Sequence, residues 1–223
     1  MSKNILIVGA SGLVGGEILK NLKTTNNDLI LLSRKKLLCE NSINQIVIDF
    51  ENIDSLDASL KVDEIYIAIG QKLSLSELVY IKKNNRKSFV NVDYNYIKKV
   101  AEFAKKCGAS SIGLISAIGA NSKSFNTYLK VKGDVEQEIK LVGYKKTIIA
   151  HPSHLLGKRA GEDIPMNVKV FEQITNLFGL LMIGPLQKFR NVEAKKVAKA
   201  IISKMDSVEE GIHYIDYKYF KNF

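Results

Sequence analysis

A short apolar run, Ile5 to Val8, breaks into Gly9-Ala10-Ser11-Gly12-Leu13-Val14-Gly15, and a helical pattern follows without a gap. A strand, a glycine-rich turn and a helix start in that order form a cradle for a pyrophosphate. The first helical N–H groups lack intrahelical partners, the helix end carries partial positive charge, and glycines let the backbone approach phosphates closely. The spacing is GxxGxxG. Glycines also mark ordinary turns, so the position between a first strand and a helix gives the triplet its meaning.

The rest of the chain repeats the strand-then-helix order. Apolar runs at Asp28–Ser33, Gln45–Asp49, Glu64–Ile69, Ser111–Ile115, Lys146–Ala150 and Ile212–Asp216 are continuous rather than alternating, as in parallel strands covered on both faces. Helical patterns fill Leu13–Leu22, Val90–Lys106, Tyr128–Leu141 and Glu193–Met205, with a less regular stretch near Asn167–Phe178. In the second, Val92, Tyr96, Val100 and Phe103 make an amphipathic stripe. This order predicts an α/β Rossmann fold: a doubly wound parallel sheet, helices on both faces, and a small C-terminal extension. At 223 residues the chain fits one domain over 1–223, with a substrate-side segment at about 152–190.

The tip of the second strand selects the dinucleotide. A NAD site places an acid there, about 20 residues past the glycine loop. Here the strand ends Ser33-Arg34-Lys35-Lys36. Arg34 can stack on an adenine and pair with a 2′-phosphate, and Ser33 and Lys35 add donors. Two charge-assisted hydrogen bonds of roughly 1.5–3 kcal/mol each favour NADP(H) by about a hundredfold or more. Asp49 and Phe50, closing the third strand, are placed to meet the adenine edge.

A second constellation lies further on. Ser116 ends a strand, and Tyr128 and Lys132 follow with YxxxK spacing, one turn apart on one helical face. A tyrosine that moves a proton near neutral pH needs help, because a free phenol titrates at about 10. An adjacent ammonium favours the phenolate, and a serine hydroxyl can orient a carbonyl. Asn91 reads either as a helix N-cap or as a polar group facing the cleft. His151 and His154 flank Pro152 without a third ligand, so no metal site is expected. Pro152, Ser153, His154 and Leu155 instead follow a strand end, where ligands bind in such sheets.

Charge adds little. Lys and Arg total 33 against 23 acids, a formal net of +10. The lysines are dispersed and no nucleic-acid-binding signature accompanies them, so no nucleic-acid partner is expected. The run Leu177–Ile183 is far short of the roughly 20 residues that cross a bilayer. Two cysteines without metal-like spacing, Cys39 and Cys107, and no signal peptide suggest a reducing cytosol.

The segments VGASGLVG, LLSRKKL, VNVDYNYIKKVAEFAKKCG, LISAIGANSKSFNTYLKVKGDVE and HPSHLLG together resemble the atypical short-chain dehydrogenase/reductase superfamily, in its NAD(P)H-binding Tat-interacting-protein-like group. The resemblance runs from the first strand to about Pro185. It implies Gly9, Ser11, Gly12, Leu13, Val14 and Gly15 on the pyrophosphate, and Ser33, Arg34 and Lys35 on the 2′-phosphate. It also implies Ala68, Ile69 and Gly70 beside the adenosine, a catalytic set of Ser116, Tyr128 and Lys132, and Pro152 to Leu155 against the nicotinamide. The family's usual Arg-Pro-Gly after the sixth strand is His151-Pro152-Ser153 here. The expected function is an NADP(H)-dependent oxidoreductase acting on a carbonyl or alcohol of unidentified structure. The alternative is a non-catalytic NADP(H)-binding regulator, and a homodimer or regulatory protein partner stays open.

Overall fold

The computed structural model describes residues 2–38, 43–157 and 184–223. Cys39, the irregular pattern at 167–178, the run 177–183 and most of the expected substrate-side segment lie outside them. Among the described residues, seven strands form one parallel sheet in the order β3-β2-β1-β4-β5-β6-β9. These are β1 Asn4–Val8, β2 Asp28–Ser33, β3 Asn44–Val47, β4 Glu64–Ile67, β5 Ser111–Ile115, β6 Lys146–Ala150 and β9 Gly211–Ile215. β1 lies between β2 (Ile5 opposite Leu29) and β4 (Ile5 opposite Glu64). The chain runs outward on one side of β1 and then resumes at β4 on the other. That reversal opens a crevice at the carboxyl ends of β1 and β4, where ligands bind in such sheets.

Both faces are covered, which explains the continuous apolar runs. Ile5 and Ile7 of β1 pack with Val14, Ile18 and Leu22 of α1 (Leu13–Leu22) and with Val197 and Ile201 of α6 (Ala194–Ser207). Leu6 and Val8 point to the opposite face, against Ile97, Val100 and Ala104 of α4 (Tyr96–Lys106) and Val135 and Ile139 of α5 (Thr127–Val142). A polar residue at either phase of β1 would be buried unpaired, at a cost of about 1–3 kcal/mol.

The helix expected from Val90 begins earlier. A short α2 (Leu75–Val79) precedes α3 (Lys83–Val90), which runs through a π turn at Asn91–Asn95 into α4. The polar run from Lys82 to Lys87 carries no stripe, so the helix start was not visible in it; Phe89 is the buried anchor of α3. Asn91 is therefore inside a continuous helix and is not an N-cap. The π turn also shifts the stripe. Asp93, Ile97, Val100 and Ala101 are buried, whereas Val92 and Tyr96 border the cleft. The carboxyl-side boundary of β4 is shorter than expected by Ala68 and Ile69, which leave the sheet as a loop.

Beyond β6, a two-residue strand β7 (Leu155–Leu156) pairs in parallel with β8 (Val192–Glu193) ahead of α6. The extension after β9 is α7 (Tyr217–Phe220), which buries Phe220 against the α1–α6 side of the core. Among the described residues no helix is long and apolar enough to cross a membrane.

Candidate functional site

The crevice holds a cleft of about 540 Å³. Its floor is the glycine loop. Gly9 has φ +94°, and a Cβ built there would lie 2.6 Å from the Ala68 carbonyl, so only glycine fits between β1 and the loop after β4. The amide of Gly12 donates to the Gly9 carbonyl at 2.9 Å and closes the turn. Gly12 is the N-cap of α1; no side chain caps this helix and its first turn carries no acid. The opening amides of α1 are thus left to an anion in the cleft. Gly9, Ser11, Gly12, Leu13 and Val14 line the cleft, while Gly15 lies behind it, packed on the Gly9 carbonyl.

Ser33, Arg34 and Phe50 line the end of the crevice nearest the β2 tip. The Ser33 hydroxyl donates to the Lys35 carbonyl at 2.7 Å, and Lys35 is exposed outside the lining. Asp49 is also outside: its carboxylate accepts the Glu51 amide and caps the 3-10 turn Phe50–Ser55. Phe50 meets Tyr96 edge-on, ring centroids 5.7 Å apart. Ala68, Ile69 and Gly70 form the rim after β4. Of the four residues from Pro152 to Leu155, Leu155 borders the cleft. Pro152 is buried with its carbonyl taking the Ile118 amide, and the Ser153 hydroxyl donates to the Arg190 carbonyl. Among the described residues no group of acids, histidines and cysteines could hold a metal ion.

Ser116, Tyr128 and Lys132 come together in the same cleft. β5 delivers Ser116 from its carboxyl end. Asn126 caps α5 by accepting the Leu129 amide at 3.0 Å, which sets Tyr128 and Lys132 on the first turns. Gly133 allows α5 to lie against the 121–122 backbone, where a Cβ would stand 2.2 Å from the Ser122 nitrogen. Phe89 backs the Tyr128 ring at 5.9 Å.

The electrostatics depart from the expectation. Lys132 is buried and its ammonium lies 2.8 Å from Asp93, itself 1% exposed. Burial works against the Lys132 charge, but Asp93 and Tyr128 outweigh it and the ammonium is held above its usual range. Tyr128 moves the opposite way from the simple YxxxK argument. Burial pushes the phenol up; Lys132 pulls it down, and Asp93 pushes it up again, for a net rise. Ser116 is also differently engaged. Its hydroxyl donates to Glu136, a buried carboxylate one turn beyond Lys132, and the same Glu136 oxygen is 2.8 Å from His151. A hydroxyl has one proton. With that proton on Glu136, Ser116 offers lone pairs to the cleft rather than a donor to a carbonyl.

Sequence reasoning missed Asp93, Gln71, Lys72, Ser88, Val92 and Tyr96 as cleft residues. Asp93 did leave a signal: a carboxylate one residue after Val92, in the helical pattern from Val90 that also carries Asn91 and Asn95.

Fold and cleft define a protein of the Rossmann class. No protein-family model matches the sequence. HTATIP2 of Rattus norvegicus is 32% identical over 165 residues, 71% of this chain and 65% of the rat protein, so the chain spans just under two thirds of that relative. The mitochondrial protein FMP52 of Lodderomyces elongisporus is 31% identical over 176 residues, 71% of this chain and 69% of its own length. Among solved structures, MoeE5 in complex with UDP-glucose and NAD superposes with a TM-score of 0.69 at 11% identity, over 97% of this chain and 79% of MoeE5. Aldohexose dehydrogenase of Thermoplasma acidophilum gives 0.70 at 17% identity, over 97% and 93%. The chain belongs to the atypical short-chain dehydrogenase/reductase superfamily of NAD(P)-binding oxidoreductases, in the group that includes HTATIP2 and FMP52.

The expectation of a cytosolic protein is corrected by these relatives, because the FMP52 proteins of several yeasts are named mitochondrial. The cysteine argument could not separate the two, since a mitochondrial interior also keeps unpaired thiols reduced.

Proposed function

We propose that this chain binds NADP(H) along the cleft and reduces a carbonyl group on a small molecule, with Tyr128 as the proton donor. The observation that carries the reading is the convergence on one cleft of an uncapped helix N-terminus, a basic β2 tip without an acid, and a Ser–Tyr–Lys set. The residues fit the cofactor. The amides that open α1 would take the pyrophosphate, Arg34 with Ser33 and Lys35 the 2′-phosphate, and Phe50 and Ile69 the adenine. MoeE5, of the same fold, is solved with NAD; the choice of NADP(H) here rests on Arg34. When bound, the nicotinamide supplies the two-electron reducing equivalent.

The chain's own part is positioning and proton supply. Tyr128 holds its proton toward the cleft and Lys132 sets the charge behind it, while Ser116, with its proton on Glu136, borders the cleft beside them.

A second reading, a dinucleotide-responsive regulator without turnover, is favoured by one observation: Ser116 and Lys132 are both already engaged, by Glu136 and Asp93. NADPH oxidation, followed by absorbance against a panel of aldehydes and ketones, separates the two. The reductase reading predicts substrate-dependent consumption of NADPH. Tight NADPH binding with no consumption across the panel favours the regulator.

A further inference from the structure

We infer that Asp93 is a positioning residue of this site, holding the Lys132 ammonium in a buried ion pair so that Tyr128 keeps its proton and meets a substrate as an acid. The inference rests on the reading of Tyr128 as the proton donor and deepens it by naming the group that keeps the proton on Tyr128.

Four elements build the arrangement: the π turn, α5, the loop after β4 and α3. The π turn between α3 and α4 directs Asp93 into the crevice, where a regular helix would carry a different residue to that point. One carboxylate oxygen is 2.8 Å from Lys132 Nζ, and the other accepts the Gln71 amide at 2.7 Å. Gly70 lets the loop after β4 close over the pair, since a Cβ there would stand 3.1 Å from Asp93 Oδ1. Ser88 of α3 holds the same loop by donating to the Gln71 side chain at 3.2 Å.

The charge arithmetic gives the role. An ammonium alone, one helical turn from a phenol in a buried site, draws the proton off it. A carboxylate in contact with that ammonium leaves a dipole where there was a charge, and the phenol keeps its proton. The charged groups acting on Tyr128 are Lys132 on α5 and Asp93 in the π turn; Lys72, in the loop after β4, borders the same cleft, and Glu136, one turn beyond Lys132, acts on that ammonium. Burial raises the Tyr128 phenol in the same sense. The free protein is therefore poised with a protonated Tyr128.

The test reads that proton directly and needs no substrate. Protein carrying ¹³Cζ-tyrosine is titrated by NMR, with Tyr128→Phe identifying the signal. Asp93→Asn has the same size and keeps an oxygen for the Gln71 amide, so a purely structural role is preserved while the charge is removed. The expected result is a Tyr128 midpoint lower than wild type by about one pH unit or more. A D93N signal that tracks the wild type over the whole range overturns the inference. If D93N does not fold, Asp93→Ser carries the test, since it also removes the charge and keeps an oxygen: its midpoint must fall below wild type, and an unchanged midpoint overturns the inference. A shift in a protein that consumes no carbonyl leaves the role of Asp93 standing and removes the reductase reading. Carbonyl turnover with no shift in D93N does the reverse.

Discussion

Alanine at Gly15 lowers the melting temperature by roughly 6–12 °C and weakens NADPH binding more than tenfold. Intrinsic propensity argues the other way, since alanine in a helix interior is about 1 kcal/mol better than glycine. Sterics decide. A Cβ at Gly15 would lie 2.1 Å from the Gly9 carbonyl oxygen and 2.6 Å from its carbon, both backbone atoms that cannot swing aside. The helix has to withdraw from the turn, yet Val14, Ile18 and Leu22 tie it to β1 and to Val197 and Ile201 of α6. Overpacking a well-filled core costs typically 1–3 kcal/mol; this site lies at the upper end, and about 3 kcal/mol in a chain of this length gives that fall in melting temperature. The same withdrawal moves the amides at the start of α1. Thermal melting and an NADPH titration of G15A measure both effects. An unchanged or raised melting temperature would show that α1 does not pack on the turn as described.

Tyr128→Phe removes carbonyl turnover by about 10²–10⁴-fold and leaves NADPH affinity within twofold or so. The factor is that of a positioned general acid. The phenyl ring remains, and so does its packing on Phe89, Ile81 and Val131, so the substitution takes one hydroxyl from the cleft and leaves the core intact. Steady-state kinetics with any carbonyl that wild type accepts, beside a fluorescence titration of NADPH, separate the two effects. Turnover within threefold of wild type would remove Tyr128 from the chemistry.

The sheet was legible because its central strands are covered on both faces, as at β1, β4, β5 and β6, and the first turn carries its own glycine punctuation. Gly9 to Gly15 fixed the first β–α junction, and the apolar runs at β2, β4, β5 and β6 placed the rest within a residue or two. The helix over 83–106 was half legible. Its second half has a stripe, but the first half is solvated apart from Phe89, and a π turn leaves no period for a sequence argument to find. The site was legible in its members rather than in their state. YxxxK spacing brings Tyr128 and Lys132 onto one face in any helix, so their neighbourhood follows from the sequence. The counter-charge on Lys132 comes from Asp93, some forty residues earlier, and the carboxylate that takes the Ser116 proton from Glu136. Both depend on how α4 and α5 meet the ends of β4 and β5, which local spacing does not encode. The compartment was not legible either, because a reduced thiol such as that of Cys107 is compatible with more than one location.

The most direct test of the account is a fluorescence titration of the purified protein with NADPH and, separately, with NADH, repeated on Arg34→Ala. Arg34 sits at the rim of the cleft with no acid at the β2 tip to prefer an unmodified ribose. NADPH is expected to bind at least tenfold tighter than NADH, and R34A to lose roughly tenfold or more for NADPH alone, the worth of one charge-assisted contact. Equal affinities in wild type, or no binding of either dinucleotide, would contradict the NADP(H) reading.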